Sequence, residues 1–370
     1  MVKKILSRSA CAAAALLVVA GHAYAADGWK LRFPLSGTLG GEIVSNKLTS
    51  GLYGSVVATQ VEVDKVTGDD GNALTVSKSG TFSTAPTLVV GAVRSASYSA
   101  SNTLNVKQSQ TNTNILLGYL SESEYAGGRL NLTVNIPYAS LNRTATLTGT
   151  TPTLTTLTPA VPSPYASTAQ ASVQGSFNTS YQAQLAASSA AGTGSAAAMG
   201  DIELTGAWVQ ATDLMKVVVG ATLAMPTAKY DKDSSFNVGY GNYYTLRPGG
   251  AVSVKMGESL TLGARASLGI NSPNTDNGIR TGNYWGLDMA AAYLTPIGVF
   301  GPHVLQVTQY EDDQGGTFGS NRFNATGAGL FYTTLIAPIN AGLNLTYMKM
   351  VDSRNALSGS FVQIRLTKAF

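Results

Sequence analysis

Cysteine and histidine are nearly missing from this 370-residue chain, which holds only Cys11, His22 and His303. Two of these three lie in the first 25 residues. There Lys3, Lys4 and Arg8 precede the apolar run Cys11 to Ala20, and the small-residue site Ala23-Tyr24-Ala25 follows. Basic, apolar and small residues in that order predict a cleaved secretory signal over 1–25. A chain starting at Ala26 then has no thiol, which excludes disulfides, thiol catalysis and cysteine–histidine metal sites. Charge is scarce as well. Asp, Glu, Lys and Arg make up 12% of the sequence, about half the ~25% of soluble domains. Three of the 24 basic residues and none of the 20 acidic ones fall within the signal, so the remainder is nearly balanced. It has no clustered basic face, and nucleic-acid binding is excluded. Beyond the signal there is no continuous apolar run of about 18 residues, so no membrane-spanning helix is expected.

What the chain has in abundance is short alternation. Leu260, Leu262, Ala264, Ala266, Leu268 and Ile270 alternate with Thr261, Gly263, Arg265, Ser267 and Gly269, the two-residue period of a strand with one apolar face. Leu130 to Ile136 and Ala341 to Tyr347 repeat the design, and Trp285, Leu287, Met289, Ala291 and Tyr293 form a row with aromatics at both ends. The final stretch, Gly359 to Phe370, places Val362, Ile364, Leu366 and Phe370 on one face against Gln363, Arg365 and Thr367. It resembles the closing strand of bacterial outer-membrane barrels, whose terminal aromatic residue is read by the barrel assembly machinery. From residue 200 onward, short turns near 211–214, 257–259, 295–298 and 334–338 alternate with longer polar loops near 226–242, 271–282, 311–321 and 351–357. Short periplasmic turns and long external loops are the pattern of such barrels. The expected fold is all-β: a transmembrane antiparallel β-barrel of about 12 strands, with 14 as the alternative, in the bacterial outer membrane.

Strands near 52–65, up to Tyr98, at 112–121 and at 128–138 complete the barrel over 52–370. Added to the nine C-terminal strands they give an odd number, where single-chain bacterial barrels carry an even one. Either residues 26–51 stay unpaired inside the lumen as a candidate hatch, which gives the smaller count, or one more strand exists. Phe33, Pro34 and Leu35 are the candidates to line an apolar passage in that hatch. Residues 140–199, rich in Thr and Pro and then in Ala, Ser and Gly, read as a long low-complexity external loop with little to bury.

Several stretches are similar to the outer-membrane family of the meta-pathway of phenol degradation, a relative of fatty acid and toluene channels. They are GLYGSVVATQ (51–60), DDGNAL (69–74), LGYLSESEYAGGRLNLTVNIP (117–137) and GDIELTGAWVQ (200–210), followed by GATLAMPTAKYD (220–231), NVGYGNYYTLRPGGAVSV (237–254) and NGIRTGNYWGLDMAAAY (277–293). Residues 140–199 depart from the family's compact pattern. The resemblance implies an outer-membrane channel for uptake of small hydrophobic, and above all aromatic, compounds. A general diffusion porin and a structural or adhesive surface barrel are the other readings.

Strand parity turns Glu62, Asp64, Asp201, Glu203, Arg265, Asp288 and Arg365 towards the lumen, where charges must meet water or one another. No Gly-x-Ser-x-Gly elbow accompanies His303, so no catalytic residue is assigned. The run Glu311-Asp312-Asp313 suits a solvated loop better than calcium. Neither a cofactor nor a metal is expected. The expected partners are outer-membrane lipid and lipopolysaccharide, the assembly machinery and a small hydrophobic ligand.

Overall fold

Alternating apolar and polar residues become strands wherever the run is long enough to pair on both sides. The computed structural model of the protein describes residues 31–33, 39, 49–84, 92–234, 237–315 and 322–370. The expected signal, Pro34 and Leu35 lie outside the described residues. The strands are β1 (Gly51–Val66), β2 (Thr75–Ser83), β3 (Ser95–Tyr125), β4 (Gly128–Gly149), β5 (Gly194–Met199), β6 (Glu203–Ala211) and β7 (Met215–Ala224). They continue with β8 (Thr245–Met256), β9 (Leu260–Asn271), β10 (Tyr284–Thr295), β11 (Gly298–Gln309), β12 (Asn324–Ile336), β13 (Ala341–Arg354) and β14 (Leu357–Ala369). One long helix, α1 (Ala166–Ala191), lies between β4 and β5.

The chain divides into two units. The larger, Ala23–Asn72, Val106–Arg143 and Gly194–Phe370, is the barrel. Neighbours from β6 to β14 pair in sequence order, β6 pairs with β4, β4 with β3, β3 with β1, and β1 with β14. This closes a ring of twelve antiparallel strands, with β2 and β5 outside it. The smaller expected count therefore holds. The odd total arose because the segment ending near Tyr98 and the segment 112–121 are one continuous strand, β3, of 31 residues. The connections 126–127, 212–214, 257–259, 296–297 and 337–340 are short, and the alternate ones, such as 225–244, 272–283 and 310–323, are long. In the turn 126–127, Ala126 and Gly127 have φ of 52° and 75°, the left-handed pair that suits the twist of a tight hairpin. The loop expected at 351–357 is only a two-residue turn, 355–356, because β13 and β14 extend to meet it.

The outward face is apolar. Leu52, Val56, Ile115, Leu117, Leu130, Leu132, Leu262, Leu268, Met289, Val362, Ile364 and Leu366 are all exposed on it. Such a band on a closed barrel is what lipid requires, since every backbone donor and acceptor is satisfied strand to strand. The row Trp285 to Tyr293 faces outward as the alternation predicts, while Tyr284, Gly286, Asp288, Ala290 and Ala292 are buried inside. No described helix is long and apolar enough to cross a membrane.

The smaller unit, described over Ala73–Asn105 and Thr144–Thr193, has its own core. β2 pairs with the first part of β3, Thr75 opposite Thr103 through Ser83 opposite Ser95. α1 lays Ala169, Val173, Phe177, Tyr181 and Leu185 onto Phe82, Tyr98, Leu154 and Leu157. Phe177 stands 5.0 Å from Tyr98 and 5.3 Å from Phe82, ring centre to ring centre. The Tyr181 hydroxyl donates to Asn102 Oδ1 at 2.6 Å. Residues 140–199 are thus not a structureless excursion. They contain the end of β4, the helix and β5, because five apolar side chains recur every fourth position on one helix face.

Candidate functional site

The barrel interior is filled from two directions. The inward rows of β3, β4 and β6 bring amides and hydroxyls: Gln108, Asn114, Asn135 and Thr205. Those of β10, β11, β13 and β14 bring Tyr284, Leu305, Val307, Met348 and Phe361. Into this space runs the N-terminal segment. Leu31 is buried in the cluster with Tyr284, Leu305, Val307, Met348 and Phe361, and Phe33 packs against it. Leu39 lies in a second cluster with Ala290, Ala292, Val299 and Phe331. Glycines on the wall make the room: a methyl at Gly286 would overlap the Phe33 ring, and one at Gly269 the Tyr284 ring.

Arg32, only 3% exposed, ties this segment to the wall. Its guanidinium donates to Asp201 Oδ2 through both Nε, at 3.0 Å, and Nη2, at 2.8 Å. Nη2 also reaches the Gly241 carbonyl at 2.8 Å, and Nη1 the Tyr243 carbonyl. The guanidinium carbon sits 3.9 Å from the centre of the Tyr243 ring. Arg32's own carbonyl accepts from Arg247 Nη1 at 2.8 Å and from the Tyr284 hydroxyl. Arg247 pairs with Glu203 at 2.5 Å, Asn135 donates to Glu203 at 3.1 Å, and Asn114 donates to Asn135 at 3.0 Å. Two arginines thus meet two carboxylates, and further donors reach the carbonyls of Arg32, Gly241 and Tyr243, while Arg247 Nε is buried without a hydrogen-bond partner among the described residues. Asp201 reaches inward because β4 changes partner from β6 to β5 beside it, leaving 200–202 outside either strand. Burial first, then the carboxylates of Asp201 and Glu203, push the titration of the Tyr240 hydroxyl up, so it stays protonated.

A second cluster lies lower on β9, β10 and β11. Arg265 pairs with Asp288 at 2.5 Å, and the other oxygen of Asp288 meets His303 Nε2. Asp288 and His303 are each 1% exposed. His303 is therefore a lumen residue. Arg365 lies on the inward row of β14 with Phe361 and Gln363, beside Val57 and Asn344.

Glu62 and Asp64 are placed differently from expectation. On β1 the buried row is Ser55, Val57, Thr59 and Val63, so Glu62 and Asp64 fall on the exposed, outward face. Glu62 accepts there from Gln60 and Ser109, both at 2.8 Å. The apolar-outward rule fails at this end of β1 because Val61 and Val63 turn in, and Val61 packs on the lumen cluster. Of the acidic run, Glu311 pairs with Arg280 at 2.9 Å, Asp312 with Arg322 at 2.7 Å, and Asp313 accepts from the Gly282 N–H at 2.8 Å. Among the described residues no group of side chains is arranged to hold a metal.

Arg32, Arg247 and Tyr243 carry this site, and parity alone does not single them out. A signal was present: the inward charges expected from parity were mostly acidic, which called for a cation from elsewhere.

The family model described as the MetA-pathway of phenol degradation matches residues 101–366. An outer-membrane channel from Pseudomonas putida F1 has the same fold at 13% identity and a TM-score of 0.58, with 88% of this chain and 97% of that one covered. A FadL homologue from Pseudomonas aeruginosa (9% identity, TM-score 0.37, 93% and 97% covered) is a weaker likeness. So is the CymD monoaromatic hydrocarbon channel (11% identity, TM-score 0.36, 88% and 90% covered). No curated protein sequence matches this chain.

Proposed function

This chain belongs to the family of the MetA-pathway of phenol degradation, and on that premise we propose that it is an outer-membrane channel for uptake of small hydrophobic compounds, aromatic ones above all. The observation that carries this reading is the lumen itself. Leu31 and Phe33 lie against an apolar wall of Tyr284, Leu305, Val307, Met348 and Phe361, a lining that suits a ring and offers nothing to a hydrated ion. The N-terminal segment is the hatch, and Arg32 is its latch. Phe33 lines the apolar passage, as Pro34 and Leu35 would. Asp201, Glu203, Arg265, Asp288 and Arg365 are lumen charges that hold the wall and hatch together and do not form a wet selectivity ring. Phe370, exposed at the end of β14, is the residue presented to the assembly machinery.

Uptake of radiolabelled toluene or phenol by cells with and without the protein tests the cargo. Equal uptake in the two strains overturns it. Liposome swelling tests the hatch. The intact protein should admit sugars slowly, and fast, non-selective swelling would point to a general diffusion porin.

A further inference from the structure

Between Thr144 and Thr193 the sequence has no lysine, arginine, aspartate or glutamate, and the partner segment Ala73–Asn105 adds only Lys78 and Arg94. A protein surface in water normally carries about 25–35% charged residues. This unit instead exposes threonine, serine and amide side chains. Its densest part, 150–168, is interspersed with Pro152, Pro159, Pro162 and Pro164, the composition of segments that bear O-linked sugars.

The structure fixes how those hydroxyls are offered. Leu154 and Leu157 are buried against α1. Gln174 accepts from the Leu154 N–H at 2.8 Å and donates to the Pro152 carbonyl at 3.1 Å, while Gln170 donates to the Thr155 carbonyl at 3.1 Å. The segment is therefore clasped along its backbone while Thr153, Thr156 and Ser163 stay exposed, their hydroxyls bonded to no other described residue. Thr155 differs, because its hydroxyl accepts from the Ser97 N–H at 2.8 Å. Proline beside Thr153 restricts the backbone there, and Ser163 stands at the tip of a turn closed by the Tyr165 N–H on the Pro162 carbonyl at 3.1 Å; both present a hydroxyl from a fixed backbone.

We propose that this stretch is an O-glycosylation site, with Thr153, Thr156 and Ser163 as acceptors. The donor is a sugar carried on a lipid diphosphate. The hydroxyl oxygen bonds to the anomeric carbon as the bond from that carbon to the diphosphate oxygen breaks. The lipid diphosphate leaves with the electron pair, and the hydroxyl proton passes to a base of the transferase. The attached sugars supply the hydration that charged side chains supply elsewhere.

Intact-mass spectrometry of the full chain from its native outer membrane, beside the same chain refolded from cytoplasmic inclusion bodies, tests this. The native protein should be heavier by whole sugar residues, and electron-transfer fragmentation should place them at the three hydroxyls. The triple variant Thr153→Ala, Thr156→Ala, Ser163→Ala should lose them while keeping the heat-dependent gel mobility of a folded barrel. Equal masses for the two preparations, or adducts unchanged in the triple variant, overturn the proposal.

Discussion

A guanidinium taken out of water needs most of its donors satisfied, and Arg32 meets that demand with the Asp201 carboxylate beside β6 and two carbonyls of the connection 225–244. Removing one partner of a buried pair costs roughly 3–5 kcal/mol because the other is left uncompensated. Arg32→Ala should therefore release the N-terminal segment, and conductance in planar bilayers should rise several-fold. Adding Asp201→Asn should recover stability in urea titration without restoring closure. Gly286→Ala should act from the opposite side, since its methyl overlaps the Phe33 ring. Raised conductance with an unchanged urea midpoint is the expected result. The lumen charges on β9 and β10 were legible in the sequence because Arg265 and Asp288 sit in strands whose apolar rows are uninterrupted. Glu62 and Asp64 were not. Their neighbours Val61 and Val63 face inside, Val61 onto the cluster that holds Leu31, so polar residues outward and apolar residues inward reverse the rule that holds where lipid is outside.

The helix α1 is an element the sequence partly concealed. Its stripe of Ala169, Val173, Phe177, Tyr181 and Leu185 has a four-residue spacing that favours a helix, yet it lies in an Ala/Ser/Gln background that reads as low complexity. Phe177 touches both Phe82 and Tyr98, and truncating a buried phenylalanine costs about 3–5 kcal/mol. Phe177→Ala should open 150–193 to proteases at least tenfold faster while the heat-dependent gel mobility stays that of the folded barrel. Tyr181→Phe loses only the bond to Asn102 and should cost about 1 kcal/mol, read from the same proteolysis rate. Strand β3 misled in the other direction: its length exceeds the roughly 9–11 residues a membrane requires, so one element looked like two.

At the scale of the whole molecule, the lipid-facing band decides stability. Ile364 lies midway along the outward row of β14 between Val362 and Leu366, and an arginine at the bilayer midplane costs about 2–4 kcal/mol. Ile364→Arg should lower the unfolding free energy read from urea titrations on lipid vesicles by that amount. Strand count and the loop alternation up to β13 were readable because lipid imposes them on every strand alike, whereas the 355–356 turn was not. The placement of the N-terminal segment was readable only as a leftover, since a plug obeys no repeating pattern. The ring is closed by its two most distant strands: Ser55 on β1 meets Thr367 on β14 across 312 residues of chain. β1 cannot find its second neighbour until β14 has been made. Closure is therefore all or none: until β14 docks on β1 the sheet stays open, with two unpaired edges that invite aggregation.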